Sequence, residues 1–151
     1  MFGRALDPDR TTVRHAKWAM WQPAFVTMAP NGHLWFHPNG GRFSVDFAAE
    51  PPHRQHLFVH EMVHVWQHQQ GVFLPLARHP FCRYAYLPLE PGKPFARYGI
   101  EQQAEIVADA WLAFLGCPRP GRPPLGELAA LIPFWNAGAE PLPGWRPPVL
   151  A

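Results

Sequence analysis

Phe58-Val59-His60-Glu61-Met62-Val63-His64-Val65-Trp66-Gln67-His68 is the stretch that decides how this 151-residue chain is read. Nothing in it breaks a helix. Pro51-Pro52 stands upstream, where proline can open one, and Gly71 stands downstream, where glycine can close it. The spacing predicts a helix over roughly 52–70. On it, His60 and His64 lie ~40° apart around the axis and ~6 Å apart along it, so both imidazoles can reach one tetrahedral ion. His60-Glu61-x-x-His64 is thus an H-E-x-x-H motif, in which Glu61 is no ligand but can take a proton from a water that zinc has acidified. A shuffled chain of this composition shows the motif roughly once in 40 tries, so its surroundings must decide. Phe58, Val59, Met62, Val63, Val65 and Trp66 form a broad apolar arc that can pack, while His53, His56, His60, His64 and His68 share the opposite arc. His68 lies ~12 Å along the axis from His60, too far for one ion, and His53 and His56 fail likewise. These three read as exposed or cleft-lining histidines.

A third ligand must come from elsewhere. A second helix is expected after Gly99, over about 100–115, ending at Gly116-Cys117-Pro118. Glu101, Glu105 and Asp109 stand on it at i, i+4 and i+8 and share a face, while Ile100, Val107, Trp111, Leu112 and Leu115 supply apolar contacts. Like charges at that spacing repel, so the stripe suggests a cation nearby.

An HExxH helix followed by an acidic helix resembles the gluzincin metallopeptidases. That resemblance implies a zinc ion whose third ligand is a glutamate of the later helix, with an acid four residues on that orients a ligand histidine. Two registers fit: Glu101 with Glu105, or Glu105 with Asp109. Glu101 is favoured because the first turn of a helix keeps a carboxylate ionised, which leaves Glu105 to hold an imidazole's second nitrogen. A closer resemblance covers residues 2–115. The segments Phe2–Arg10, Met28–Pro38, Phe58–His68 and Tyr98–Glu105 look like the small bacterial "Vgr-related" proteins, similar in turn to metallopeptidase-like domains attached to contractile and type VI secretion components. The chain departs from that pattern at Val63, where a Thr is expected, and in its proline-rich tail.

The rest of the chain frames this site. Short strands are expected at Thr11–Trp18, Ala24–Ala29, His33–His37 and Arg42–Phe47, with Pro30-Asn31-Gly32 and Pro38-Asn39-Gly40-Gly41 as turns. The alternation is clearest at Phe43, Val45 and Phe47. Residues 71–99, with five prolines, read as a long structured loop without regular elements. Residues 118–151 hold nine of the 20 prolines and one short helix candidate, Leu125–Ile132, so they read as a tail that wraps the body or extends from it. His33 and His37 fit a polar hairpin edge better than a metal site. An oxyanion donor is sought among Tyr84, Tyr86, Tyr98, His79 and Arg97, with Tyr98 preferred for its nearness to Glu101.

Composition excludes other classes. With 13 Lys+Arg scattered against 11 Asp+Glu, net +2, no basic run exists to grip nucleic acid. The first residues lack a signal-peptide core, and no run approaches the ~18 apolar residues of a membrane span. The chain is expected to be cytoplasmic on synthesis, with any export independent of a signal peptide. Cys82 and Cys117 make no disulfide framework; one bridge or two free thiols are open, with thiols favoured.

The expectation is therefore an α+β mini-zincin. Residues 1–117 would set a small antiparallel sheet on the HExxH helix and a Glu-bearing second helix, and 118–151 would form the tail. Zinc would be held by His60, His64 and Glu101, with Glu105 beside it, Glu61 as general base and Tyr98 as oxyanion donor. The substrate would be a peptide or protein, held by edge addition to the 42–47 strand. The competing expectation is a non-catalytic, zinc-stabilised accessory or cargo module of a secretion apparatus.

Overall fold

Helix α1 runs over Pro52–Gln69, with Pro51 at its N-cap and Pro52 in its first turn, as the flanking prolines predict. It ends where Gly71 takes a φ of +90°, while the Val72 and Gly71 amides donate to the carbonyls of Gln67 and His68. The computed structural model describes residues 1–77 and 82–135. In chain order the other elements are β1 (Val13–Arg14), β2 (Thr27–Met28), β3 (Leu34–Phe36), α2 (Leu74–Ala77), α3 (Ile100–Phe114) and α4 (Leu125–Leu131).

The strands form one sheet in the order β1-β3-β2, mixed rather than antiparallel: β1 pairs with β3 in parallel and β2 pairs with β3 antiparallel. On β3, Leu34 and Phe36 point into the core and Trp35 lies between them on the other face, under the Arg14 guanidinium. Gln22 ties the β1–β2 connection to the sheet: its Nε2 donates to the carbonyls of Val26 and Trp35, and its Oε1 accepts from the Trp18 amide.

The expected strand at 42–47 does not form. Phe43 and Phe47 turn inward toward Phe36, but Val45, which alternation would put on the same face, is 96% exposed. Arg54 explains the difference. Its guanidinium takes the carbonyls of Gly41 and Phe43, acceptors that a sheet neighbour would otherwise need, while the Asp46 carboxylate caps the single turn Phe47–Ala49.

Helix α1 lies between two apolar clusters. Toward the sheet, Val65 packs with Leu6, Ala29, Leu34 and Phe36, and Phe58, Met62 and Trp66 close the edges. Toward α3, Val59 and Val63 pack with Ala104, Val107 and Ala108. Leu128 and Ile132 are buried in the same cluster, so the segment after α3 packs on the body at least as far as Trp135. Residues 71–99 are not wholly irregular, since α2 and a turn at Phe95–Arg97 interrupt them. Cys82 and Cys117 are separate thiols. Among the described residues no helix is long and apolar enough to cross a membrane; residues 136–151 of the expected tail, like His79, lie outside the described residues.

Candidate metal centre

The third edge of α1, covered by neither cluster, carries the histidines. His60, Glu61 and His64 are all buried there. Helix α3 starts after Gly99, whose amide is capped by the Gln102 side chain, and this start places Glu101 opposite them in the first turn. Glu101 Oε2 lies 3.1 Å from His60 Nε2 and 3.2 Å from His64 Nε2. Ligands about 2.1 Å from a tetrahedral zinc stand about 3.4 Å from one another. One nitrogen of each ring and a carboxylate oxygen of Glu101 therefore converge as a three-ligand zinc site requires, all within 4.8 Å of one another.

Each imidazole is held from behind by a different group. His60 Nδ1 lies 3.1 Å from Glu105 Oε1. His64 Nδ1 donates to Gln67 Oε1 at 2.8 Å, and the Gln67 amide donates in turn to the Ile100 carbonyl and to Gln103 Oε1 on α3. Both supports fix the ring with Nε2 toward Glu101. Gln67 escaped the sequence reading, although its i+3 spacing from His64 was the available signal. Burial disfavours charge on His60, but hydrogen bonds to Glu101 and Glu105 and the charges of Glu61 and Glu101 outweigh it, and the ring is pushed up to about 9.

Glu61 is buried beside this cluster, and its Oε2 has no hydrogen-bond partner among the described residues. An unpartnered buried carboxylate oxygen is costly. Its position suits a group that receives a proton from something bound at the site.

Two cavities flank the histidines. One of about 280 Å³ is apolar, lined by Trp18, Met28, Ala29, Pro30, Leu74 and Pro75, and ends at His64. The other, about 270 Å³, is more polar and contains Arg42, His56, His60, Glu61, Tyr84 and Glu105. The β1–β2 connection contributes Trp18 to the first and Phe25 to the second, and neighbouring Met20 and Trp21 are largely exposed. No described residue of 118–135 lines either cavity.

Tyr98 lines neither cavity. Its ring is buried in the α1–α3 cluster with Lys93 Nζ 4.4 Å above it, because burying an aromatic ring next to Phe95 prevails over exposing it to a cleft. Tyr84 is the tyrosine that faces the histidines, its ring stacked 6.0 Å from that of His60. Tyr86 donates to Asp109 instead, and Arg97 is exposed and lines neither cavity. His33 and His37 each accept a backbone amide, from Thr12 and Asn39, and serve the turns of the sheet.

His56, Glu105 and Asp109 form a second cluster of potential ligands. A guanidinium already serves it: Arg119 donates to both Asp109 oxygens, at 2.5 and 2.9 Å, and to Glu105 Oε2 at 2.5 Å. Arg122 stands 3.1 Å from Asp109 Oδ2, and the Tyr86 hydroxyl donates to the same oxygen at 2.7 Å. Burial pushes both carboxyls up, but their hydrogen bonds prevail. Glu105 is lowered by His60 and Arg119, and Asp109 is held far below the usual carboxylate range by His56, Arg119 and Tyr86.

The fold and site together define an α+β domain in which two helices bring a pair of imidazoles onto one carboxylate. No family model matches the chain. It is 42% identical over 120 residues to the type VI secretion system spike protein VgrG2b of Pseudomonas aeruginosa, a match spanning 74% of this chain and 12% of the spike protein. Among solved structures, the effector domain of Pseudomonas aeruginosa VgrG2b is similar with a TM-score of 0.64 at 40% identity, over 74% of this chain and 66% of that one. Sequence and fold thus relate the chain to that effector domain.

Proposed function

We propose that this protein is a zinc-dependent metallopeptidase that acts as an effector module associated with a type VI secretion spike. The convergence of His60 Nε2, His64 Nε2 and Glu101 Oε2 beside the unpartnered buried oxygen of Glu61 carries the chemical half of this reading. Similarity to a spike protein and to its effector domain supports the other half.

His60, His64 and Glu101 would hold the zinc, with Glu105 and Gln67 orienting the two rings. Zinc in such a site acidifies water to a pKa near 7 and polarises a carbonyl. Glu61 takes the proton of the attacking water and delivers it to the leaving amine. Tyr84, on the wall shared with Glu61, replaces Tyr98 as the candidate donor to the developing oxyanion. The strand that would hold an extended peptide also changes. β2 is a sheet edge, and its Thr27 and Met28 line the polar and the apolar cavity respectively, so it takes the place expected of 42–47.

The similarity to a spike protein and its effector domain speaks more directly for the second reading, a zinc-stabilised accessory or cargo module of a secretion apparatus that cleaves nothing. One variant separates the two. Glu61→Gln is expected to keep stoichiometric zinc, measured by elemental analysis, and to lose cleavage of a peptide library by at least about 100-fold, the usual worth of a positioned base. Full cleavage by Glu61→Gln would overturn the general-base role, and absence of cleavage by zinc-loaded wild type would leave the cargo module.

A further inference from the structure

The repulsive stripe Glu101, Glu105, Asp109 is neutralised in two ways. Glu101 meets the imidazoles, whereas Glu105 and Asp109 meet a guanidinium from outside the helix. Glu105 spans the two systems: Oε1 faces His60 Nδ1, and Oε2 accepts from Arg119.

We propose that Arg119, in the proline-rich segment after α3, is a positioning residue of the zinc site, holding Glu105 as the acceptor for His60 Nδ1. The inference rests on the reading of His60, His64 and Glu101 as zinc ligands. Glu105 lines the polar cavity, and a glutamate there has three rotatable bonds with which to leave the ring. Arg119 removes that freedom because it is itself fixed. Its planar fork meets both oxygens of buried Asp109, a geometry that fits a carboxylate and that lysine cannot reproduce. Pro118 and Pro120 on either side restrict its backbone. Asp109 is anchored in turn by Arg122 and Tyr86. The path from the segment after α3 to a ligand nitrogen thus contains one carboxylate and no gap: Arg119, Glu105, His60. This also identifies the cation that the acidic stripe implied. For its second half it is an arginine brought back by the chain, so a second metal ion is not required.

The test is a cycle of zinc affinities measured by competition with a chromophoric chelator on the full chain. Wild type, Arg119→Gln, Glu105→Gln and the double variant are compared, with thermal unfolding as a check on folding. Groups behind a metal-bound histidine commonly contribute 10–100-fold in affinity. Arg119→Gln is expected to weaken zinc about tenfold and Glu105→Gln at least as much. The double variant should bind no more weakly than Glu105→Gln alone, because Arg119 acts through Glu105. Arg119→Lys, which keeps the charge but not the fork, is expected to bind zinc more weakly than wild type by about threefold or more. Unchanged or tighter binding by Arg119→Gln, or losses that multiply in the double variant, would overturn the proposal. A purely structural arginine would lower the melting temperature while leaving the affinity of the folded protein as it was. Wild type that takes up no zinc would instead remove the reading beneath the proposal, and the proposal with it.

Discussion

His60 and His64 sit one turn apart on the same helix and face the same carboxylate, yet they are held by opposite chemistry. His60 leans on charge, through Glu105 to Arg119 and Asp109, residues of α3 and of the segment after it. His64 leans on a neutral amide of its own helix, Gln67, which continues into the first turn of α3 and into Gln103, whose own amide donates to the carbonyls of Phe95 and Tyr98. An amide chain keeps its hydrogen bonds at any ordinary pH and salt concentration. A charged chain depends on ionisation and is weakened by screening where solvent reaches it. One imidazole is therefore positioned by the helix pair itself, and the other by a contact the chain makes later in its course.

Breaking the neutral side is expected to have the larger effect. Gln67→Leu leaves His64 Nδ1, the Ile100 carbonyl and Gln103 Oε1 without this partner in a buried place, which should cost about 2–3 kcal/mol in urea unfolding. Zinc affinity should fall about 10–100-fold. On the charged side, Asp109→Asn should cost about 1–2 kcal/mol at neutral pH, a low figure for a buried carboxylate because Arg119 is 35% exposed and solvent screens the pair. Zinc affinity should fall only a few-fold, since Arg119 still reaches Glu105.

The pH dependence sharpens the contrast. Asp109 has a lower pKa in the folded chain than the ordinary value of about 3.9. Its stabilisation is therefore complete above that value and disappears as pH falls through the folded value. The deficit of Asp109→Asn relative to wild type should shrink from pH 5 toward pH 3, while the deficit of Gln67→Leu should stay constant over the same interval. A Gln67→Leu deficit that shrank in parallel would show that the two supports do not differ in kind.

The same division explains what could be read in the sequence. Both main helices were legible because their boundaries are local: Pro51-Pro52 and Gly71 bracket α1, and Gly99 and Gly116 bracket α3. Helical spacing then put His60, Glu61 and His64 on one edge and the three acids on another. The sheet was less legible, because strands of two or three residues carry too few side chains to show a period. At 42–47 a real alternation misled, since Arg54 supplies from a distance what a neighbouring strand would have supplied. Arg119 and Gln67 were hidden for different reasons. Nothing local marks Arg119 as the partner of acids 10 and 14 residues earlier, and Gln67 carries no charge and belongs to no ligand motif. Nearness in sequence to Glu101 favours Tyr98 over Tyr84, but the Tyr98 ring belongs to the core and the cavity wall comes from the preceding loop.

Everything rests on two imidazoles and one carboxylate oxygen sharing an ion, and zinc K-edge X-ray absorption of the zinc-loaded protein tests this most directly. The expected first shell is nitrogen and oxygen only, near 2.0–2.1 Å, with outer-shell scattering from two imidazole rings that drops to one in His64→Ala. Sulfur near 2.3 Å, or scattering from two rings that persists in His64→Ala, would contradict it.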